Sequence, residues 1–190
     1  MDWSKAFDTI SPDGLADALR RFGVPDKFVR IIGSVYSGRQ FLVSDFDSQS
    51  DLHHQAFGIS QGCPLSPFLF VILMTVLIHD TREELVKAGH MLSDELIIHK
   101  LVYADDTLLI DVLGPNLQHY MDLIVQFGSQ YGLSINWKKV EIMTVRCDAQ
   151  ISSADGKILD PKTSLAYLGA TIHNSGVIDS ELNRRLGMVS

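Results

Sequence analysis

Residues 101–110, LVYADDTLLI, set two adjacent aspartates inside an apolar run. Leu101, Val102 and Tyr103 lead in, and Leu108, Leu109 and Ile110 lead out, so both flanks read as short, largely buried β-strands. The pair Asp105–Asp106 then falls at a tight turn, where aspartate tolerates unusual backbone angles. Two readings stay open on this stretch alone. The acidic turn is a plain hairpin connection, or it holds two carboxylates at a rigid tip to bind divalent cations.

The surrounding composition narrows the field. With 190 residues, 46% hydrophobic and 21% charged, the chain can bury a sizeable core, as one domain with at most a small appendage. The longest apolar run, FLFVILMTVLI at 68–78, has eleven residues. A membrane span needs about 20, so this run is expected to be a buried core element and no membrane partner is expected. No signal-peptide pattern opens the chain. Cys63 and Cys147 lie far apart and make no zinc spacing, and His53–His54 has no partner at ligand distance in the sequence. The net charge of −7 argues against a self-sufficient nucleic-acid binder, which normally carries a basic face.

Along the chain, helices and hairpins alternate. SPDGLADALRRFG (11–23) has Ser11 to cap a helix, Pro12 at its first position, apolar Leu15, Ala18, Leu19 and Phe22, and Gly23 to stop it. PDKFVRIIGSVYSG (25–38) repeats that logic, with Phe28, Ile31, Ile32, Val35 and Tyr36 expected on one buried face. Residues 39–46 and 51–58 read as a hairpin around DSQS. After Pro64 and Pro67, the apolar run and the polar DTREELVKAG form one long helix, buried early and exposed late. PNLQHYMDLIVQFGSQYG (115–132) places Leu117, Tyr120, Met121, Ile124, Phe127 and Tyr131 at helical spacing before Gly132. Short strands and turns follow. The mixture predicts an α+β domain.

A second acidic cluster, in MDWSKAFDTI (1–10), bears on the opening question. Asp2 and Asp8 can simply favour the dipole at the start of the next helix. Asp2, at the end of a strand, can instead complete the Asp105–Asp106 pair. Three carboxylates around two cations about 3.5–4 Å apart is the requirement of two-metal phosphoryl transfer. Hard magnesium ions prefer such oxygen ligands.

Five blocks in order, DWSKAFD, GISQGCPLSPFLF, YADD, GLSINWKKVE and AYLG, cover most of residues 2–169. Together they resemble the palm of reverse transcriptases, most closely those of non-LTR retrotransposons. The resemblance implies a right-hand polymerase palm over 1–172, an antiparallel sheet carrying the carboxylates and backed by helices, with 173–190 as the start of a thumb or connector. It implies Asp2 and Asp105 as metal ligands, Asp106 supporting them, and Mg2+ as cofactor with Mn2+ as a substitute. Phe7 matches the aromatic under the incoming sugar, where a ring leaves no room for a 2′-hydroxyl; core packing is its other reading. Ser60, Gln61 and Gly62 match the loop facing the nascent base pair and template, with Gly62 allowing close backbone approach. Tyr103 matches the hairpin tyrosine beside the primer terminus. Lys139 matches a lysine near the triphosphate, a candidate general acid for departing pyrophosphate, against an equal reading as a surface lysine. Val140 stands where the family usually has threonine. Tyr167, Leu168 and Gly169 match the primer-grip hairpin.

By the same resemblance, a fingers region and an earlier start to the strand carrying Asp2 are expected upstream, and most of a thumb downstream. Neither is in the chain, which is expected to be a fragment needing those segments of a parent polyprotein as partners. Their absence accounts for the acidic balance, since they carry the basic groups that hold nucleic acid. Asp2 is expected to lack strand pairing, and the chain alone to have little or no activity. The implied function is RNA-directed DNA polymerisation from dNTPs on an RNA template and DNA primer. The alternatives are a non-catalytic remnant that binds nucleic acid or protein, or another two-metal palm enzyme, against which Phe7 and SQGCPLSP count. Nuclear location is an inference from the way such elements live.

Overall fold

The computed structural model describes residues 1–89 and 98–187. The last three residues of the expected 173–190 connector therefore lie outside the described residues. Cα packing divides the chain into two compact units that interleave along the sequence: residues 3–89 with 123–135, and 1–2 with 90–122 and 136–190.

The first unit is mainly helical. A short α1 (Ala6–Thr9) precedes α2 (Pro12–Phe22), whose start and stop follow the expected signals. Gly14 N donates to Ser11 Oγ at 3.3 Å, Pro12 opens the first turn, and Gly23 N returns to the Arg20 carbonyl at 3.0 Å. The buried stripe Leu15, Ala18 and Leu19 packs α2 against α4 (Ser66–Lys87), which comes later in the chain. From α4, Leu69, Phe70, Leu73 and Leu77 are each at most 1% exposed. Each side chain so buried contributes about 1.5–3 kcal/mol relative to exposure, which is what holds this unit together. An ion pair joins the same two helices: the half-exposed Arg21 guanidinium meets the buried Asp80, and it also donates to Tyr131 Oη at 3.1 Å. Residues 123–135 close the core with Ile124, Tyr131 and Leu133. Trp3 bridges antiparallel to Ile135, and Ser4 N donates to the Ser134 carbonyl at 2.8 Å.

Helix α3 (Asp26–Tyr36) forms where expected, but with a different inner face. Val29 and Tyr36 are buried and Ile32 half-buried, whereas Phe28, Ile31 and Val35 are half exposed. Both triplets obey i, i+3, i+7 spacing, and packing on α2 selects the first. The hairpin after it is also real, though split. Strands β1 (Gln40–Phe41) and β4 (His53–His54) pair, as do β2 (Ser44–Asp45) and β3 (Ser48–Gln49). Between these ladders two residues oppose three, a one-residue bulge.

The second unit carries hairpins. Strands β5 (Lys100–Tyr103) and β6 (Asp106–Leu109) pair antiparallel, with Tyr103 opposite Asp106. The N-terminal part of α5 (Gly114–Gln130) follows, and Gln118 clasps the backbone of Ser152 through both ends of its amide, at 2.6 and 3.1 Å. Strands β7 (Ser164–Tyr167) and β8 (Ala170–His173) make a second hairpin. Its turn residues Leu168 and Gly169 both have positive φ, 48° and 76°. A final helix, α6 (Asp179–Gly187), packs on β8. Glu181 accepts from Thr171 N at 2.9 Å, and Arg184 donates to the Gly169 carbonyl.

The α+β expectation holds. Among the described residues each ladder is two-stranded, and no helix is long and apolar enough to cross a membrane. Both cysteines are free; Cys147 is exposed and Cys63 half-buried.

Candidate active site

In the hairpin unit, three separate segments bring acidic groups around one cavity of about 510 Å³. Asp105 and Asp106 come from the β5–β6 hairpin, Asp2 from the start of the chain, and Lys139 and Glu141 from the segment after α5. Leu165, Ala166 and Tyr167 of the second hairpin complete part of its wall.

The hairpin tip differs in detail from its expected form. Tyr103 pairs with Asp106, so the turn residues are Ala104 and Asp105, and Asp106 already belongs to β6. Ala104 has φ of 52°, a region that costs an L-residue energy and is unusual at a position glycine would suit. Side chains alternate along β6. Thr107, directly after Asp106, is buried at 2% exposure while Asp106 is exposed, and this alternation turns Asp106 away from the packed side. Tyr103 is 64% exposed and is not among the residues lining the cavity.

Asp2 corrects an expectation. It does not lack strand pairing. Met1 exchanges two hydrogen bonds with Thr107 of β6, its N donating at 2.8 Å and its carbonyl accepting at 3.0 Å. The Asp2 carbonyl accepts from Asn136 N at 2.9 Å. Held from both sides, the Asp2 side chain is 15% exposed. The segment that pairs with it then turns, Lys139 N donating to the Asn136 carbonyl at 2.8 Å, and this turn brings the Lys139 ammonium 2.8 Å from Asp2 Oδ2. Lys139 has its pKa raised by that hydrogen bond to Asp2 first, then by the charges of Asp2, Asp105 and Asp106.

The second hairpin is tied to the first by Tyr167, whose hydroxyl donates to the Leu101 carbonyl at 3.2 Å. Burial raises the Tyr167 pKa, and the nearby Asp106 charge adds to it. Leu168 and Gly169 form the turn beyond and do not line the cavity.

Four carboxylates (Asp2, Asp105, Asp106, Glu141) line this cavity and outnumber its basic groups, the Lys139 ammonium and the α-amino group of Met1. Such a wall repels phosphates and attracts cations. Its donor atoms are carboxylate oxygens, the type that hard divalent ions prefer. Among the described residues no group of three or more His, Cys, Asp or Glu is gathered closely enough to hold a metal ion as it stands. The donor set therefore suits such an ion in chemical type but, as gathered here, not in geometry.

The remaining predicted residues, Phe7, Ser60, Gln61 and Gly62, belong to the helical unit and make a cluster of their own. Phe7 is half-buried and stacks on the buried Phe70, ring centroids 4.9 Å apart at 17°. Its carbonyl accepts from Ile59 N at 2.7 Å, Gly58 N donates to the Ile10 carbonyl at 2.8 Å, and Gln61 Nε2 donates to Asp8 Oδ1 at 3.1 Å. The loop 58–62 is thereby laced to residues 7–10. Gly62 has φ of 84°, and nothing lies within 4 Å of where its Cβ would be. Its glycine answers the backbone angle, and the space beside it is open.

Two residues of these clusters carry no sequence signal of their own. Glu141 was visible only as the last letter of GLSINWKKVE; it lines the acidic cavity and pairs with Lys162. Arg39 grips the loop at Gly58 and Ser60 from nineteen and twenty-one residues away.

Comparison with known proteins places the sequence in a family. Residues 1–172 match the family described as reverse transcriptase (RNA-dependent DNA polymerase). The chain is 33% identical, over 140 residues, to the retrovirus-related Pol polyprotein from type-2 retrotransposable element R2DM of Drosophila melanogaster, covering 73% of this chain and 13% of the relative. A Pol polyprotein from type-1 retrotransposable element R2 of Popillia japonica is 25% identical, covering 93% of this chain and 31% of the relative. The RNA-directed DNA polymerase from mobile element jockey of Drosophila melanogaster is 26% identical, covering 90% and 19%. The chain spans less than a third of the length of each of these relatives. With the match running from the segment that holds Asp2 through the hairpin that holds Tyr167, the chain belongs to the reverse transcriptase family, in its non-LTR retrotransposon branch.

Proposed function

We propose that the chain is the palm of an RNA-directed DNA polymerase that joins deoxynucleotides to a primer on an RNA template. In the reaction the primer 3′-hydroxyl loses its proton to solvent and its oxygen bonds to the α-phosphorus of a dNTP while the bond to the bridging oxygen breaks, and pyrophosphate leaves with that bond's electron pair. The observation that carries the reading is the convergence of Asp2, Asp105, Asp106 and Lys139, from three distant segments, on one cavity. A cavity whose carboxylates outnumber its basic groups cannot attract a triphosphate unaided, so Asp2, Asp105 and Asp106 are the residues that would hold Mg2+ or Mn2+. Bound divalent ions would supply charge neutralisation and a lower pKa for the attacking hydroxyl.

The protein's own groups do the rest. Lys139, protonated across the neutral range, can leave Asp2 and give its proton to the departing oxygen. Tyr167, Leu168 and Gly169 form the hairpin offered to the primer, and Tyr103 stands exposed at the base of the acidic turn. In the helical unit, Phe7 presents a ring for the sugar, and Ser60, Gln61 and Gly62 present an open loop for base pair and template.

A second reading, a nucleic-acid-binding module without catalysis, is favoured by one observation: no three ligands are gathered for a metal among the described residues. Thermal unfolding with and without Mn2+ separates the two. At a cation concentration about 100 times Kd, binding adds about 2.7 kcal/mol. For a chain of this size that raises Tm by roughly 5–10 °C. Asp105→Asn is expected to abolish the rise. A rise that survives the substitution removes Asp105 from the site, and a wild-type melting point that Mn2+ leaves unchanged favours the binding module.

A further inference from the structure

Arg39 was singled out by no motif, yet it sits at the centre of the loop cluster. Its Nη1 donates to Ser60 Oγ at 2.8 Å and its Nη2 to the Gly58 carbonyl at 2.5 Å. The guanidinium carbon lies 4.5 Å from the centre of the Tyr36 ring. The network closes on itself. Tyr36 Oη shares a hydrogen bond with Ser66 Oγ at 3.2 Å, and Ser66 Oγ donates to the Ser60 carbonyl at 2.7 Å. Tyr36 and Ser66 are buried, 7% and 1% exposed, so the ring of contacts is shielded from water on that side.

Beyond the ring, the loop passes its position on. Gly58 and Ile59 hydrogen-bond to the carbonyls of Ile10 and Phe7, and Gln61 to Asp8. Phe70 fixes one face of the Phe7 ring. Nothing else in this cluster joins the loop to α3 through a charged group.

We propose that Arg39 is the positioning residue of this loop: by clamping Gly58 and Ser60 it fixes the backbone of Phe7 and sets the preference for deoxynucleotides over ribonucleotides. The proposal rests on the polymerase reading above. A planar fork serves here where a lysine does not, because one ammonium cannot reach two divergent acceptors and lie flat on a tyrosine ring. Discrimination by a ring that excludes one hydroxyl depends on placement, and a shift of about 1 Å can cost 10²-fold.

Two measurements test it, the first on the chain by itself. In hydrogen exchange, Arg39→Lys is expected to speed the Gly58 and Ile59 amides about tenfold, the scale of one lost charge-assisted bond, while α2 amides keep wild-type rates. Unchanged rates at both amides overturn the clamp. In single-turnover primer extension with Mn2+, with the chain carried between the upstream and downstream segments of a parent polyprotein, the deoxy-to-ribo incorporation ratio is expected to fall about tenfold in Arg39→Lys. Ser60→Ala, which removes one acceptor and little packing, is expected to lower the ratio less, and it serves as the second probe if Arg39→Lys fails to fold. A purely structural role would lower both nucleotides alike. A loosened loop with an unchanged ratio therefore overturns the proposal and leaves the polymerase reading intact. A wild-type chain that incorporates neither nucleotide within such a polyprotein overturns the polymerase reading and the proposal with it.

Discussion

Gly58 and Gly62 offer a matched pair for testing how the loop is seated. Their φ values are nearly equal, 87° and 84°, so an alanine at either meets the same backbone penalty. That penalty is about 1–2 kcal/mol for an L-residue in left-handed space. Their surroundings differ completely. A Cβ on Gly62 meets nothing within 4 Å, whereas one on Gly58 lies 2.7 Å from the Asp8 carbonyl oxygen, 2.8 Å from Asp8 Cα and 2.8 Å from the Phe7 carbonyl oxygen. All three are backbone atoms and cannot swing aside. Forcing them apart adds about 1–3 kcal/mol of overpacking. Gly58→Ala should therefore cost about 2–5 kcal/mol in total against about 1–2 for Gly62→Ala. At roughly 2–4 °C per kcal/mol, the two melting points should be clearly separated. Urea unfolding followed by Trp3 fluorescence, with Trp137→Phe as background, reads the helical unit, because Trp3 is 3% exposed within it. Equal destabilisation by the two alanines would refute the close seating of the loop on Phe7 and Asp8.

Two further outcomes are expected. Ala104→Gly should relieve the strained turn and raise stability by about 0.5–1 kcal/mol, after the entropy glycine loses on folding. It should also weaken Mn2+-induced stabilisation by loosening Asp105; a cation response equal to wild type would count against strain as a positioning device. At the end of the chain, hydrogen bonds from Arg184, then Arg185, then Thr171 N hold the Glu181 carboxyl well below its ordinary 4.5. Its contribution is present above pH 4.5 and is lost only as pH falls through the lower folded value. The Thr171 amide should accordingly stay protected from pH 7 down past 4.5, and lose protection in Glu181→Gln at any pH. Loss at pH 5 in the wild type would sink that account.

Helix α2 was legible because its signals are local: Ser11, Pro12 and Gly23 each act within one turn. For α3 the spacing was readable and the inner face was not, since Phe28–Ile31–Val35 and Val29–Ile32–Tyr36 satisfy the same period and only the neighbouring helix chooses. The acidic hairpin was readable from its apolar flanks, but its register slipped by one residue, and Leu101, Val102 and Tyr103 of the lead-in strand are exposed where burial was expected. No rule of turn chemistry favours alanine over aspartate at a positive φ, and β pairing imposes it on Ala104. The acidic cavity was anticipated through five motif blocks rather than through any one of them. The pairing around Asp2 could not be foreseen, because its partners are Thr107 and Asn136, more than a hundred residues away. Arg39 was invisible for the same reason: its acceptors are a backbone carbonyl and a serine in another block.

The interleaving of the two units has a consequence for how the polypeptide is made. The helical unit is built from residues 3–89 and 123–135. A ribosome that has released the first 89 residues has delivered Leu19, Leu69 and Leu73 but not Ile124, Tyr131 or Leu133, which share their core and are each at most 2% exposed in the finished fold. The nascent chain must therefore carry an open apolar surface while some forty more residues emerge, an interval in which holdase chaperones would find it. A premature stop anywhere in that interval leaves both units unfinished, and no single proteolytic cut releases either one whole.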